Sequence, residues 1–387
     1  FRESGQSNIY YGWDNERYGN VVIKLYKSDF DNSDENLTFN RELEALLNLG
    51  EHPNILSLID WGIHEETGDM FLVTPKMDVT LSDFEGMSEK EIISLSRDLK
   101  IDIGVDLVTH TGDHDSKFGI FLNRCAPLQI NFLGYPGTMG SKVYDYIIAD
   151  KIIIPETKKN NYSEKVIYLN NCYQPNIDKR EISNKILKKS DFNLPNNKVI
   201  YCNFNTSYKI TPEIFKTWME ILKEVTNSIF WIYSNNKSTE KNLKKEAIAN
   251  NIDPSRIIFA RRVDIREHLN RIKLADIFLD TYPYGAHTSC SDALRMGLPL
   301  ITIKGESFAS RVSSSLLNRV NLDELAVPDY EAYKNLAIKI GKNKEYLIKI
   351  KKKLFESLKK SSLFNNKEFT KDLESTYTEL LKKYEKN

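Results

Sequence analysis

The sequence predicts an α/β protein built on parallel sheets, preceded by a small α+β segment. Three observations favour this fold class. From residue 88 onward, short β-branched runs alternate with amphipathic helical segments, a pattern typical of parallel sheets covered by helices on both faces. Polar loops containing glycine follow several of the predicted strands. With 387 residues and 41% hydrophobic side chains, the chain can form two or three domains with cores of their own.

The first predicted segment, residues 1–85, is rich in strands. Val21–Lys24 is a compact β-branched run, and Met70–Val73 indicates another short strand. Between them, Phe39–Leu49 carries apolar residues at helical spacing. We therefore expect a small sheet with one helix.

The second predicted domain covers residues 86–195 and begins with a capping box. Ser88, followed three residues later by Glu91, predicts the start of a helix that continues to about Leu99. The apolar run Ile101–Leu107 then predicts a buried strand.

The third predicted domain covers residues 196–387. Thr211 and Pro212 form an N-cap and N1 pair for a helix that ends near Val225, and Asp264 caps a later helix. The tail after Glu331 is helical and rich in lysine, and its interspersed acidic residues indicate solvated faces. The remaining predicted elements are strands at 199–203, 229–233, 256–259, 276–280 and 300–303 and a helix at 238–250.

Composition excludes several classes of protein. The 54 basic and 54 acidic residues cancel, which removes the general attraction used by non-specific nucleic-acid and anionic-membrane binders. No apolar run is long enough to span a bilayer, and no signal peptide follows Phe1. The four cysteines form no CxxC pair, which argues against a disulfide scaffold or a zinc site and favours a reducing, cytoplasmic location.

Two clusters at predicted strand ends could contact an anionic ligand. Lys209 ends the polar loop that begins at Tyr201, and it could approach a phosphate as a point charge. His268 and Arg271 lie three apart on one helical face. Taken alone, each has a simpler interpretation, as a solvated loop lysine and as an ordinary helix surface.

A third cluster lies between Asp280 and Asp292. A buried strand ends there in proline and glycine, and a helix begins at His287, so several N–H groups and hydroxyls meet at a helix N-terminus. Asp292 could accept a hydrogen bond from a ribose hydroxyl. The alternative, in which Thr288 simply caps the helix, leaves His287 and Asp292 unexplained. Together the three clusters favour a nucleotide diphosphate as the ligand.

The stretch from Ile101 to Leu317 resembles the catalytic region of the O-GlcNAc transferase/SPINDLY family of nucleotide-sugar glycosyltransferases. The motifs that carry the resemblance are Ala126–Thr138, Asp145–Asp150, Tyr162–Val166, Tyr201–Asn205, Leu274–Thr281, Ala286–Thr288 and Phe308–Val312. The resemblance implies a GT-B-like pair of Rossmann-type domains, the first of them truncated. It also implies inverting, metal-independent transfer of a sugar from a UDP- or GDP-sugar, UDP-GlcNAc being preferred, to Ser/Thr of protein acceptors.

The resemblance also assigns roles to single residues. Lys209 is similar to the lysine that neutralises the leaving diphosphate, and with His287 it is the predicted catalytic pair. Gly134, Tyr135 and Pro136 resemble the first-domain loop that faces sugar and acceptor. The other residues predicted to hold the nucleotide sugar are Asn205, Thr206, His268, Arg271, Thr288, Ser289 and Asp292.

Several positions depart from the family pattern. Thr206 stands where the animal enzyme has glutamine, Ile265 where it has lysine, and Arg295 where the family often has tryptophan. Base and sugar preference are therefore not inherited. The segment that normally precedes Ile101, with its His-Pro motif and candidate base, has no match in the sequence. The superhelical repeats that normally present protein substrates have no match either.

Residues 1–85 resemble the N-lobe of a protein kinase. The similar motifs are Gly5–Gly12 (a weakened glycine-rich loop), Val22–Lys24 (the ATP lysine), Arg41-Glu42, His52–Ile55 and Phe71–Met77 (the strand into the hinge). The alternative is a β-rich domain with a chance Val-Ile-Lys. No His-Arg-Asp or Asp-Phe-Gly occurs in the chain, so phosphoryl transfer is not expected.

One competing hypothesis remains open, and two further candidates, a metal site and a thiol nucleophile, are rejected on the sequence. The chain could be a catalytically impaired module that binds a nucleotide sugar beside a pseudokinase-like segment. His110 and His114, with Asp113 and Asp115, could form a metal site, although His-x-x-x-His on a loop is a weak pattern. Cys290 could be a nucleophile, although its helical setting favours a packing role.

Overall fold

The computed structural model describes residues 87–111 and 118–386. Before residue 87 it describes the segments 2–4, 7–14, 19–26, 60–64 and 69–75 and single residues between 39 and 58. The chain divides into two compact units, Phe1–Met87 and Ser88–Asn387. The predicted segments His52–Ile55 and Arg41-Glu42, and the residues Gly5 and His114, lie outside the described residues.

The first unit contains an antiparallel sheet of five strands. These are β1 (Arg2–Ser4), β2 (Ser7–Asp14), β3 (Gly19–Tyr26), β4 (Asp60–Ile63) and β5 (Met70–Pro75), in the order β1-β2-β3-β5-β4. Phe39 and Leu43 lie in a helix that follows β3, and they pack with Tyr26 and Leu72 in a small core. Lys24 lies on β3 between Ile9 and Leu72. The kinase N-lobe interpretation of this unit stays a prediction.

The second unit begins with a parallel sheet of four strands. Ser88 caps its first helix through the predicted capping box with Glu91. The elements, in chain order, are α1 (Glu89–Asp98), β6 (Ile103–Asp106), α2 (Phe118–Leu122), β7 (Leu128–Asn131), β8 (Tyr146–Ala149) and β9 (Lys165–Tyr168). The strands lie in sequential order with every described pairing parallel, which is one half of a doubly wound sheet.

A second parallel sheet of six strands follows. Its elements are β10 (Val199–Asn203), α3 (Pro212–Glu224), β11 (Ser228–Tyr233), α4 (Lys237–Ala249), β12 (Ile257–Ala260), α5 (Ile265–Ile272), β13 (Ile277–Leu279), α6 (Thr288–Arg295), β14 (Leu300–Ile303), α7 (Phe308–Arg319) and β15 (Ala326–Val327). The strand order is β12-β11-β10-β13-β14-β15. Renumbered from β10, this is the 3-2-1-4-5-6 order of a Rossmann sheet.

The predicted helical tail is three helices. They are α8 (Tyr330–Lys342), α9 (Lys344–Leu358) and α10 (Asn366–Tyr384). Asn343 and Asn365 divide the tail, because each caps the helix that follows it.

One hydrophobic core runs through both parallel sheets. It extends from Ile130 on β7, through the fully buried Trp218 and Trp231, to Leu380 on α10. Polar contacts also join the two sheets, since Ser315 on α7 donates to the buried Asp150 after β8 at 2.6 Å. No helix in the described part of the chain combines the length and the apolar character that crossing a bilayer requires.

Candidate functional site

The strand order of the second sheet reverses between β10 and β13, and ligands of open α/β sheets bind at such a reversal. The loop after β10 carries Asn205 and Lys209. The loop after β13 runs from Asp280 to His287. Two of the three sequence clusters therefore lie side by side at the carboxyl edge of this sheet.

A buried carboxylate shapes the loop after β13. The Oδ1 atom of Asp280 accepts hydrogen bonds from the N–H groups of Thr281 and Ala286, at 2.8 and 2.7 Å. Its Oδ2 atom accepts from the hydroxyls of Thr302 and Ser313, at 2.8 and 2.7 Å. Burial raises the pKa of Asp280, against the opposing effect of these donors. Asp280 thus fixes the loop that leads into α6.

Asn205 links the two loops. Its Nδ2 donates to Asp280 Oδ1 at 3.1 Å and to Thr281 Oγ1 at 2.8 Å. Its Oδ1 accepts from the Ser289 hydroxyl at 2.5 Å. Asn205 is buried and Thr206, next to it, is exposed. The described contacts therefore give Asn205 a supporting position and leave the Thr206 side chain facing solvent.

Lys209 lies against the loop after β13. Its Nζ donates to the carbonyl of Gly285 at 2.8 Å and lies 3.8 Å from the centre of the Tyr284 ring. Burial lowers the pKa of Lys209 to about 8. A lysine in this setting is charged at neutral pH and only partly hydrated, so its attraction for an anion is strong.

The N-terminus of α6 lies beside Lys209. His287, not Thr288, is the N-cap, and the hydrogen bonds of the helix begin at the N–H of Cys290. The N–H groups of Thr288 and Ser289 are therefore the leading donors of the helix. Burial, and secondarily the charge of Lys209, lowers the pKa of His287 to about 4, so its ring is neutral near pH 7.

A pocket of about 770 Å³ lies at the carboxyl ends of β11 and β12. Phe204, Tyr233, His268 and Arg271 contribute to its walls. The Phe204 ring meets the His268 ring edge to face at 5.2 Å. An aromatic wall beside polar groups suits a planar base.

Arg271 supports this wall from inside the protein. It is 1% exposed, donates to the carbonyl of Arg261 at 2.6 Å, and lies within 3.2 Å of His268 Nδ1. Burial lowers the pKa of Arg271 to about 10 and that of His268 to about 4. The prediction that both residues contact the ligand stays a prediction: both line the pocket, and Arg271 in addition holds the His268 ring in place.

Asp292 has a charged partner that the sequence analysis missed. Arg180, in the segment between the two sheets, donates to Asp292 Oδ1 at 2.8 Å. Arg295 lies one turn further along α6, stacks on Phe364 at 3.9 Å, and donates to the carbonyl of Asp178 at 2.9 Å. Both arginines thus attach α6 to the connecting segment.

The first-domain loop is held by a second buried carboxylate, Glu164. It accepts hydrogen bonds from Asn131, Thr138 and the N–H of Met139, at 3.1, 2.6 and 2.8 Å. Gly134 lies so close to the end of β6 that a Cβ there would fall 2.4 Å from the carbonyl oxygen of Leu107. Only glycine fits at this approach.

Tyr135 lies in this loop and contacts an aromatic side chain. Its ring lies 5.5 Å from that of His110, edge to face. Tyr135 also contributes, after burial and Tyr208, to raising the pKa of Tyr284, whose ring lies 3.8 Å from Lys209 Nζ. The Gly134–Pro136 loop therefore has an electrostatic effect on the loop after β13.

The residues that sequence reasoning missed are Arg180, Phe204, Tyr284 and Glu164. Phe204 and Glu164 lie inside motifs already recognised, and Tyr284 lies inside the third cluster, so position was the available signal for these three. Arg180 carried no local signal, because its partner is distant in sequence.

The described residues give little support to the two alternative chemistries, a metal site and a cysteine nucleophile. No group of three or more His, Cys, Asp or Glu side chains could hold a metal ion within residues 87–111, 118–386 and the described parts of the first unit. Of the proposed metal cluster, Asp113, His114 and Asp115 lie outside the described residues. The Cys290 thiol is buried, and burial raises its pKa well above the usual value, which does not suit a nucleophile.

Comparison with known proteins assigns the family model and the similar sequences to one kind of enzyme. The model for glycosyl transferase family 41 matches residues 98–189 and 176–373. A probable UDP-N-acetylglucosamine–peptide N-acetylglucosaminyltransferase, SEC of Arabidopsis thaliana, is 34% identical over 302 residues, which are 76% of this chain and 31% of that protein. The corresponding SPINDLY protein of Petunia hybrida is 30% identical over 309 residues, 78% of this chain and 32% of that protein.

Comparison with solved structures supports the same family. A mutant of the Thermobaculum terrenum O-GlcNAc transferase matches with a TM-score of 0.69 and 26% identity, over 75% of this chain and 55% of that one. This match confirms the predicted GT-B-like pair of Rossmann-type domains and the resemblance to the O-GlcNAc transferase/SPINDLY catalytic region. The chain spans about a third of the length of the SEC and SPINDLY proteins named above.

Proposed function

The chain belongs to glycosyl transferase family 41, and from that membership we propose that it transfers a sugar from a nucleotide-sugar donor to protein acceptors. The names of its relatives support UDP-GlcNAc as the donor. The observation that carries the proposal is the position of Lys209, which lies beside the N-terminus of α6 at the reversal point of the second sheet.

In the proposed reaction the base occupies the pocket beside Phe204 and His268. The pyrophosphate lies on the N–H groups of Thr288 and Ser289, and Asp292 accepts from a ribose hydroxyl. A Ser or Thr hydroxyl of the acceptor attacks the anomeric carbon with inversion while the bond to the β-phosphate breaks. Lys209 and the helix N-terminus stabilise the negative charge that develops on the leaving diphosphate. This preorganised positive charge supports a reaction that needs no metal.

The domain boundaries, the location and the role of the first unit are also part of this proposal. We divide the chain into residues 1–85, 86–195 and 196–387, which corresponds to its three sheets. The four buried cysteines are free thiols, which supports a cytoplasmic location. The first unit is assigned a scaffolding role without phosphoryl transfer, because the sequence holds no His-Arg-Asp or Asp-Phe-Gly.

The direct test is transfer by the purified chain. We expect incubation with UDP-[³H]GlcNAc and a dephosphorylated protein extract to label protein, and GDP-sugars to compete weakly or not at all. Mass spectrometry of the product should locate the sugar on Ser or Thr. Binding of UDP by calorimetry without any labelling would contradict transfer and favour the nucleotide-sugar-binding module instead.

The affinity for UDP should depend on pH through Lys209. Its pKa of about 8 in the unliganded protein means that the lysine is charged below this pH. A diphosphate binds the charged form. Above pH 7, where the terminal phosphate of UDP is already ionised, the affinity should stay nearly constant to about pH 7.5 and then fall, by up to tenfold per pH unit, above about pH 8. His268 and His287, with pKa values of about 4, stay neutral throughout this range. Calorimetric titration measures the profile.

A matched variant gives the control for this profile. Lys209→Met keeps the length of the side chain and removes the titrating group, so its weaker affinity should not change across the same pH range. A profile that falls equally in the wild type and in Lys209→Met would contradict the assignment.

A further inference from the structure

A groove separate from the candidate site runs between β9 and α10. Its volume is about 930 Å³. One wall is the strand itself, Lys165–Tyr168, and the opposite wall is a face of α10 that includes Thr376, Leu380 and Lys383. None of the residues lining it belongs to the base pocket or to the loop after β13.

The strand wall presents hydrogen-bonding backbone groups. β9 is the last strand of its sheet as described, and it pairs with β8 on one side. The N–H groups of Lys165 and Leu169 donate to the carbonyl oxygens of Asp145, just before β8, and Ala149, at its end, both at 2.9 Å. Because neighbouring residues of a strand alternate in direction, the N–H and C=O groups of Val166 and Tyr168 point away from β8, and both residues line the groove.

The groove carries a strong positive charge. The basic residues that line it are Lys151, Lys165, Arg319, Lys383 and Lys386, against one acidic residue, Glu379. The Nε atom of Arg319 is buried and has no hydrogen-bond partner in the structure. A buried donor of this kind is costly unless a ligand or water satisfies it.

The positive surface is elongated. A second hollow of about 340 Å³ shares Tyr146, Lys165 and Lys383 with the groove and adds Lys142. It also contains Arg124, whose charge is paired with Asp145 at 2.7 Å. A compact anion such as a phosphate needs donors that converge on one point, whereas these cations are spread along the strand. A nucleic acid would make no use of a strand edge, which offers peptide N–H and C=O groups.

We propose that this groove binds an extended acidic segment of a partner protein, which adds to the sheet as a strand beside β9. The helix α10 forms the opposite wall, and a groove between a strand edge and a helix is a known arrangement for strand addition. Backbone hydrogen bonds to Val166 and Tyr168 hold the segment, and the lysines select acidic side chains. The four residues of β9 span roughly 13 Å, enough for the central part of such a segment.

The test measures binding of peptides to the full chain by fluorescence anisotropy. The probe is a fluorescein-labelled peptide of about eight residues that alternates glutamate and valine. Two further versions are N-methylated at the odd or at the even positions. Only one of the two sets of N–H groups faces β9, so one version should lose affinity by about tenfold or more while the other keeps it. Equal affinities of the two versions would overturn strand addition.

Charge reversal tests the selection of acidic peptides. Lys165→Glu should weaken binding of the unmethylated peptide by about fivefold or more. Lys241→Glu on α4, which lines neither hollow, is the matched control and should leave the affinity unchanged. Thermal unfolding establishes that both variants are folded. An unchanged affinity in Lys165→Glu, or equally tight binding of an oligonucleotide of the same charge, would overturn the proposal.

Discussion

Replacing Lys209 by alanine is expected to reduce turnover about a hundredfold to a thousandfold, with the fold intact. The side chain contributes one hydrogen bond to Gly285 and one contact with the Tyr284 ring in the unliganded protein. Its main effect is expected in the transition state, where the leaving diphosphate gains charge. Sugar transfer to protein, measured under saturating donor, reports this loss in kcat.

Two variants separate this role from a general effect of lysine removal. Lys216→Ala, at an exposed position of α3, should keep full turnover. Lys209→Arg retains the charge in a different geometry and should recover part of the activity. Turnover in Lys209→Ala close to that of the wild type would show that Lys209 does not assist departure of the diphosphate.

Replacing Asp280 by alanine should lower the free energy of unfolding by about 3 to 5 kcal/mol. The substitution removes an acceptor from Asn205, Thr302, Ser313 and two backbone N–H groups, all of them buried. Donors left without a partner in the interior carry the full cost of desolvation. Urea unfolding, followed by the fluorescence of the buried tryptophans, measures the change.

Two control variants test whether the loss of stability depends on the burial of the carboxylate and on the shape of the side chain. Asp98→Ala, at the exposed end of α1, removes a carboxylate outside the core and should change stability by less than about 0.5 kcal/mol. Asp280→Asn keeps the shape and one acceptor oxygen, so its loss should be intermediate. A loss below about 1 kcal/mol in Asp280→Ala would contradict the central position assigned to this carboxylate.

Elements with local signals were predictable from the sequence. The capping box at Ser88 and the Thr211-Pro212 pair define helix starts that the structure confirms, because a cap is made by residues within one turn. The strand 300–303 was confirmed to the residue, since three apolar, mostly β-branched side chains and Thr302 were bounded by a proline and a glycine loop. The division of the tail at Asn343 was not predicted, because a single asparagine is common in loops as well as at helix caps.

The candidate site was predictable in outline. The rule that ligands bind at strand ends placed Lys209 and His287 together, and in the structure the charge of Lys209 helps to lower the pKa of His287. The supporting partners were not predictable, because they depend on contacts between distant positions. Asp292 and Arg180 are 112 residues apart, and Asn131 and Glu164 are 33 apart. Arg271 illustrates the same limit, since only the structure shows that it is buried and contacts His268 Nδ1 as well as lining the pocket.

The contacts between α10 and the segment after β9 have a consequence for synthesis of the chain. Asp372 accepts from the N–H and the side-chain amide of Asn170, at 2.7 and 2.6 Å, and Glu368 accepts from Asn171 at 2.8 Å. These pairs are 202 and 197 residues apart. A ribosome that has just released β9 has not yet made α10. The whole second sheet, α8 and α9 must therefore be translated before the end of β9 acquires these neighbours.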